Sequence, residues 1–458
     1  MPRTYPLTTR DLNAPIAYVR KPIEGLKLSS GPISTRVFLQ HVHGLAEQLE
    51  YGQHAINICV NRYLFLVGFC AAIVKGHSTL LPPNKIIITQ DKLAESYKDC
   101  YVLHDGGAVT THLPQLNLRR DFQSLDSQVE SVPDISEDHI AAIAFTSGST
   151  GQSKPNLKSW HTLYRSTEIN YRHMVPSGSG LLYQLATVPA QHMWGFETSV
   201  LFPLFHEVCM SDVQPLFPED IFENLRSLPK PLLLVSTPTH LRALSLSHSE
   251  VDGLKLVLSA TSPLTKNLAR EIETLFSAEL REVYGCSEVG SMAIRRTAKD
   301  DVWERFLGLT FTKQDEGTVA TAEHLPNATV LQDDIEAVDE RRFVLAGRST
   351  DLIKIAGNRA SLLDINQVLL SFAGIEDGVI FDPIAHNQGI NEETVRLCAI
   401  VALRKGYDKE SLSGFLRKNL DHAFIPRPIY FVDKLPRESN GKLPQEILMA
   451  LHTSLSRK

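Results

Sequence analysis

Short apolar runs recur along the chain with helix-length stretches between them, the alternation that strand–helix–strand units of a largely parallel sheet produce. The segments Ala55 to Val60, Ile140 to Phe145, Leu181 to Leu185, Leu232 to Val235 and Leu254 to Leu258 are predicted strands, and the second is apolar throughout, as a buried strand would be. Pro238 to Leu246 predicts a helix with proline in its first turn and Thr237 as its cap. Leu64 to Val74, apolar apart from Gly68, reads as a buried helix, well short of the ~20 residues that cross a bilayer. A break is expected near Arg348 to Asp351. Beyond it, Gly378 to Phe381, Leu397 to Val401 and Pro428 to Phe431 offer strands, and Asp408 to Leu420 and Pro444 to Leu455 offer helices, for a smaller α+β domain.

Composition narrows the class. A chain of 458 residues exceeds what one hydrophobic core usually serves, so at least two subdomains are expected. With 43% hydrophobic and 21% charged residues it has the make-up of an ordinary soluble globular protein. A net charge of -6 without any basic block argues against a nucleic-acid partner. The six cysteines (Cys59, Cys70, Cys100, Cys209, Cys286 and Cys398) are scattered without a C-x-x-C pair, so neither a zinc site nor a disulfide framework is predicted, and a reducing cytoplasm is the expected setting. The opening Met1-Pro2-Arg3-Thr4-Tyr5-Pro6 lacks the apolar core of a signal peptide.

The densest chemistry lies in Thr146-Ser147-Gly148-Ser149-Thr150-Gly151-Gln152-Ser153-Lys154. Following a buried strand, this loop should emerge at a strand's carboxyl end, where open α/β sheets place ligands. Gly148 and Gly151 let backbone N–H groups approach an anion, Ser147, Ser149 and Thr150 add hydroxyl donors, and Lys154 adds a positive charge: a phosphate cradle, hence ATP chemistry. It is not a Walker A loop, because two residues separate Gly151 from Lys154.

Three further segments follow in a fixed order: Tyr284-Gly285-Cys286-Ser287-Glu288, then Leu345 to Lys354, then Asn440-Gly441-Lys442. Taken with the first loop, they make the chain resemble the adenylate-forming enzymes: acyl- and aryl-CoA synthetases, luciferases and peptide-synthetase adenylation domains. The loop at 146–154 resembles their phosphate loop, and Tyr284 to Glu288 resembles their Tyr-Gly-x-Thr-Glu with Ser287 keeping the hydroxyl. Gly347-Arg348 with Asp351, Ile353-Lys354 and Gly357 resembles the hinge, although Thr350 stands where the family has an acidic residue or lysine. The resemblance implies an α/β fold: a large N-terminal domain of mostly parallel sheets flanked by helices (1–347), a hinge (348–351) and a small, mobile C-terminal α+β domain (352–458), with the site in the cleft.

Attack of a carboxylate on the α-phosphate of ATP develops charge on phosphate oxygens, so the site must supply cations and aligned N–H donors. By resemblance, Lys442 bridges the carboxylate and the α-phosphate from the turn-rich loop Arg437 to Gly441, with Ser287 and His192 as further catalytic residues. Glu288 suits a Mg²⁺ ligand, since such sites use one or two carboxylates plus substrate phosphates. Thr146 to Gly151, Lys154, Thr261, Tyr284, Gly285, Asp334 and Arg348 are the implied ATP- and AMP-binding residues, Tyr284 offering an aromatic face to the purine. Asp334 resembles the ribose-binding aspartate, but Gln332-Asp333 replaces the family's Thr-Gly before it, leaving Asp333 as the alternative.

For the acid, Pro189 to Glu197 resembles the family's acyl-pocket segment, so His192, Trp194, Gly195 and Glu197, with Ala260 across from them, are the implied pocket. Trp194 and Phe196 favour a flat, aromatic-lined site for an aryl or short acyl acid. Phe196-Glu197-Thr198-Ser199 also resembles the Phe-Asp-x-Ser of amino-acid adenylation domains, where an aspartate holds an ammonium, which leaves an amino-acid substrate open. Lys354 to Asp364 resembles ligases of aryl-polyene and xanthomonadin-type pathways, implying a hydroxybenzoate or hydroxycinnamate passed to an acyl carrier protein, with CoA as the other acceptor and fatty or short-chain acids as the other donors. A catalytically silent relative, or an NTPase transferring the γ-phosphate, are the readings from other classes; retention of Lys154, Glu288 and Lys442 argues against silence.

Overall fold

The computed structural model describes the chain apart from residues 1–2, 24–25, 27, 51, 83–86, 107–111, 123–130, 147–153, 248, 315–316, 349–351, 356–357, 384–395, 439–440 and 458. Its apolar runs become the central strands of two sheets. An eleven-stranded sheet runs in the order Asp333–Ala337, Arg342–Arg348, Trp303–Arg305, Gly290–Arg295, Glu279–Cys286, Leu254–Ser259, Leu232–Ser236, Leu182–Ala186, Val208–Ser211, Pro15–Val19, Gly31–Ser34. From Glu279–Cys286 to Pro15–Val19 every neighbouring pair is parallel, and the flanking pairs are antiparallel. Leu232–Ser236 is buried at every position, as a strand covered on both faces must be.

The second sheet has six strands in the order Lys154–Ser159, Ile140–Thr146, Ser78–Leu81, His54–Asn57, Cys100–His104, Gln115–Asn117, parallel except at the first pair. The helix Arg62–Val74 touches strands of both sheets, which explains why it is apolar on all sides rather than along one stripe. The strand expected over Ala55 to Val60 ends at Asn57. There the Asn57 side chain donates to the Phe65 carbonyl at 2.9 Å, and Val60 and Asn61 turn their N–H groups onto the Asp105 carboxylate, leaving Val60 exposed. Asn61 then caps the helix through the Leu64 N–H.

Beyond 351, the strands Ile375–Phe381, Cys398–Leu403 and Ile429–Phe431 form a separate three-stranded sheet. The helices Leu362–Leu370 and Lys409–Asn419 pack on it around Ile365, Leu369, Val401, Leu412 and Leu416, giving this part its own core. Among the described residues no helix is long and apolar enough to cross a membrane.

Four histidines are built into packed positions. His41 lies 2.6 Å from the Tyr63 hydroxyl, His206 stacks on Tyr171, His240 lies 2.9 Å from the Thr237 hydroxyl, and His324 is buried. Burial pushes each from 6.5 down to about 4. As pH falls below 6.5 the unfolded chain takes up protons that the native histidines refuse. The stability these groups hold is therefore complete above 6.5 and is lost as pH falls towards 4, at ~1.4 kcal/mol per pH unit for a fully affected histidine. The urea midpoint should be lower at pH 5 than at pH 7.5, and His41→Gln should narrow the gap; an equal or higher midpoint at pH 5 would refute this.

Candidate functional site

Parallel register brings several strand ends to one edge. Ala186 pairs with Val235, Ser236 with Ser259, and Ser259 with Glu282, so the segments that follow these strands leave the sheet side by side. Thr187 and Ser236 hydroxyls lie 3.0 Å apart there, and the Trp194 indole donates to the Ser236 carbonyl at 3.1 Å. Trp194 is thereby fixed as a wall, 8% exposed, in the same apolar cluster as Val188, Val235, Ala260 and Val289. At the next strand end Thr261 adopts φ +87°, a strained value for a β-branched residue and the kind found at ligand-facing loops.

Two of the expected glycines answer to packing. A Cβ on Gly195 would sit 2.0 Å from the Pro189 carbonyl oxygen, so only glycine lets the short helix Met193–Phe196 close onto that loop. One on Gly285 would meet the Gly290 carbonyl oxygen at 2.5 Å, so Gly285 is required where the Glu279–Cys286 and Gly290–Arg295 strands converge. His192 precedes the short helix in extended conformation and is half-buried beside Trp194 in the chain.

The turn between those two strands holds Ser287, half-buried, and Glu288, exposed, with the Cys286 thiol bonded towards the Glu288 carboxylate and pushed by burial up to about 12. Tyr284 donates to the Asp333 carboxylate at 2.9 Å. The aspartate facing the tyrosine is therefore Asp333. Asp334, the sequence expectation, is its neighbour in the strand and points to the other face. Glu197 is not open to a ligand: 2% exposed, its carboxylate accepts from the Ser291 N–H at 3.2 Å and the Ser291 hydroxyl at 2.7 Å. Burial raises its pKa, opposed by Ser291 and by the Lys158 ammonium. This arrangement speaks against Glu197 holding a substrate ammonium.

Of the phosphate loop, Ser147, Gly148, Ser149, Thr150 and Gly151 lie outside the described residues. Their flanks are informative: Thr146 and Lys154 are paired across an antiparallel ladder, so the loop is the connection of a hairpin and leads into a strand, not into the helix of a Walker A site. Arg348 ends the strand Arg342–Arg348 opposite Asp333, with Gly347 opposite Asp334, so the backbone brings Arg348 to the Tyr284–Asp333 pair. The hinge residues 349–351 are outside the described residues, as is Gly357.

The small domain closes on this edge. Arg437 makes a bidentate pair with Asp377, both contacts 2.7 Å, and donates to the Gly441 carbonyl at 3.1 Å, while the Glu438 N–H bonds to the Lys442 carbonyl at 2.8 Å. Gly441, at φ +81°, faces Thr237 and Thr239; a Cβ there would lie 3.1 Å from the Thr237 hydroxyl and 3.2 Å from that of Thr239. Lys442, exposed, thus follows a residue seated on the strand end that also receives Trp194. Asp377 and Lys158 carry no local sequence signal, because their partners are distant in the chain, and Thr237 signals only a helix cap.

A family model described as AMP-binding enzyme matches residues 63–315, more than half of the chain, and one described as AMP-binding enzyme C-terminal domain matches residues 388–442. A 4-coumarate–CoA ligase of Cereibacter sphaeroides is 24% identical over 302 residues, 65% of this chain and 69% of that protein. A long-chain-fatty-acid–CoA ligase of Bacillus subtilis is 23% identical over 372 residues, 71% of this chain and 64% of that protein, so the matches span about two thirds of these relatives' own length. An o-succinylbenzoate–CoA synthetase from Bacillus subtilis, solved with its acyl-adenylate, shares the fold at a TM-score of 0.78 and 14% identity, over 97% of this chain and 98% of that one.

If the Tyr284–Asp333 pair faces the ribose, Asp333→Asn should weaken AMP binding about tenfold or more, the scale of a lost hydrogen bond to a charged group, with Asp334→Asn changing it less than about threefold. Calorimetric titration with AMP checks this, and the reverse ranking would assign the contact to Asp334.

Proposed function

Because the chain belongs to the AMP-binding enzyme family, we propose that it is an AMP-forming acid–thiol ligase, which joins a carboxylic acid to ATP as an acyl-adenylate with release of pyrophosphate and then passes the acyl group to a thiol. The observation that carries this reading is the seating of Gly441, next to Lys442, at the strand end that also receives Trp194, whose apolar cluster is the one Tyr284, bonded to Asp333, packs against. Lys442 holds the acid carboxylate against the α-phosphate and offsets the charge that develops there; N–H groups and hydroxyls of 146–154 cradle the phosphates. Asp333 accepts from the ribose hydroxyls, Arg348 backs the same region, and Tyr284 covers the purine with its ring. Glu288 reaches solvent from its turn and has the donor chemistry for Mg²⁺, which would neutralise phosphate charge when bound.

We read the acid as aromatic, of hydroxybenzoate or hydroxycinnamate type. The flat wall of Trp194 and the burial of Glu197 support this over an amino acid, and the 4-coumarate–CoA ligase relative agrees. We read the acceptor as the phosphopantetheine thiol of an acyl carrier protein, as in aryl-polyene-type pathways. Exposed Lys405, Arg417, Lys418 and Arg427, with half-buried Arg404, give the small domain basic groups for an acidic carrier. A fatty acid and CoA form the second reading, favoured by the fatty-acid–CoA ligase relative. None of the six cysteines forms a disulfide, which fits a cytoplasmic setting.

Lys442→Ala should lower adenylate formation by ~10²–10³ while leaving thioester formation from supplied acyl-adenylate largely intact, because the lysine serves only the first half-reaction. Equal loss in both half-reactions would refute that role. Comparing hydroxybenzoate, hydroxycinnamate and medium-chain fatty acids on holo-carrier and on CoA tests the pairing; faster turnover with fatty acid and CoA would replace it with the second reading.

A further inference from the structure

Two buried ions hold the turn that carries Ser287 and Glu288. Lys158 lies in the strand that leaves the phosphate loop; its side chain is buried and its ammonium donates to the main-chain carbonyl of Glu288 at 2.7 Å. Glu197 opens a π-helical turn, Glu197–Leu201, directly after the pocket helix and grips the far side of the same turn through the Ser291 N–H and hydroxyl. π-turns of this kind gather at functional sites. Between the two grips stands Gly290 at φ +94°, where a Cβ would lie 2.4 Å from a Glu197 carboxylate oxygen, so the glycine is what lets the carboxylate close in. Burial lowers the Lys158 pKa and raises that of Glu197, and each group partly offsets this by favouring the charge on the other.

We propose that Lys158 and Glu197 are positioning residues: a buried clasp that ties the phosphate-loop strand and the acid-pocket helix to the Ser287–Glu288 turn and fixes where the Glu288 carboxylate stands. The clasp rests on the function proposed above. Buried ion pairs are inefficient stabilisers, since apolar pairs of similar volume often serve as well, yet Lys158 bonds to Glu288 of this turn and Glu197 to Ser291, in the strand that leaves it. The nucleotide phosphates, the acid and the carboxylate offered to Mg²⁺ are thus located relative to one another by one network.

The test is calorimetric binding of ATP with Mg²⁺ and with EDTA, alongside urea denaturation, for the unaltered protein, Lys158→Met, Glu197→Gln and the double variant. Losing such a supporting contact costs on the order of 10–100-fold in metal-linked affinity, so each single variant should lose about tenfold or more with Mg²⁺ and less than about threefold in EDTA. The double variant, which leaves no lone buried ion, should regain stability over the singles without regaining the Mg²⁺-dependent affinity. Recovery of both together, or Mg²⁺-dependent affinity unchanged in all variants, would overturn the clasp. Ser291→Ala, a milder change, should show the same Mg²⁺-selective loss if a single charge variant fails to fold. Absence of any ATP binding by the unaltered protein would instead overturn the functional reading and the clasp with it.

Discussion

Parallel pairing of the central strands is the constraint on which the site depends. Parallel strands must return by crossovers, so their carboxyl ends fall on one side; registers such as Ser236 with Ser259 set those ends level. The Thr187–Ser236 hydroxyl pair, the Trp194 wall and strained Thr261 all lie at that shared edge. The apolar runs serve the same end, because a strand such as Leu232–Ser236 stays in register only while both faces are covered.

Function then needs a second body brought to the edge. Arg437 is held by Asp377, and Gly441 can seat against Thr237 because it lacks a side chain. Under the proposed function, a lysine borne on the small domain and seated through so small a contact suits a group needed in one half of a two-step reaction. The Ser287–Glu288 turn is tied instead to elements of the large domain, through Lys158 on the Glu288 carbonyl and Glu197 on Ser291.

Much of this was legible in the sequence where local pattern sufficed. Continuous apolar runs marked the central strands, Thr237-Pro238 marked a helix start, and short polar segments in a fixed order marked the family. What failed to show depends on parity and distance. Choosing between Asp333 and Asp334 requires knowing which face of the strand looks at Tyr284, and a bulge after Asp334 hides that in the spacing. Glu197 read as a pocket residue because its neighbours did, while Ser291, the partner that occupies it, lies 94 residues on. Nothing local to Lys158 announces that its ammonium is buried under a turn it reaches only in the folded state.

The most direct test follows one oxygen atom. With the acid labelled in its carboxylate by heavy oxygen and supplied with ATP, Mg²⁺ and a thiol acceptor, attack on the α-phosphate and later expulsion by the thiol must leave one labelled oxygen in AMP and the other in the thioester. Mass spectrometry should find labelled AMP and unlabelled pyrophosphate. Label in inorganic phosphate, ADP as the nucleotide product, or AMP without label would contradict it.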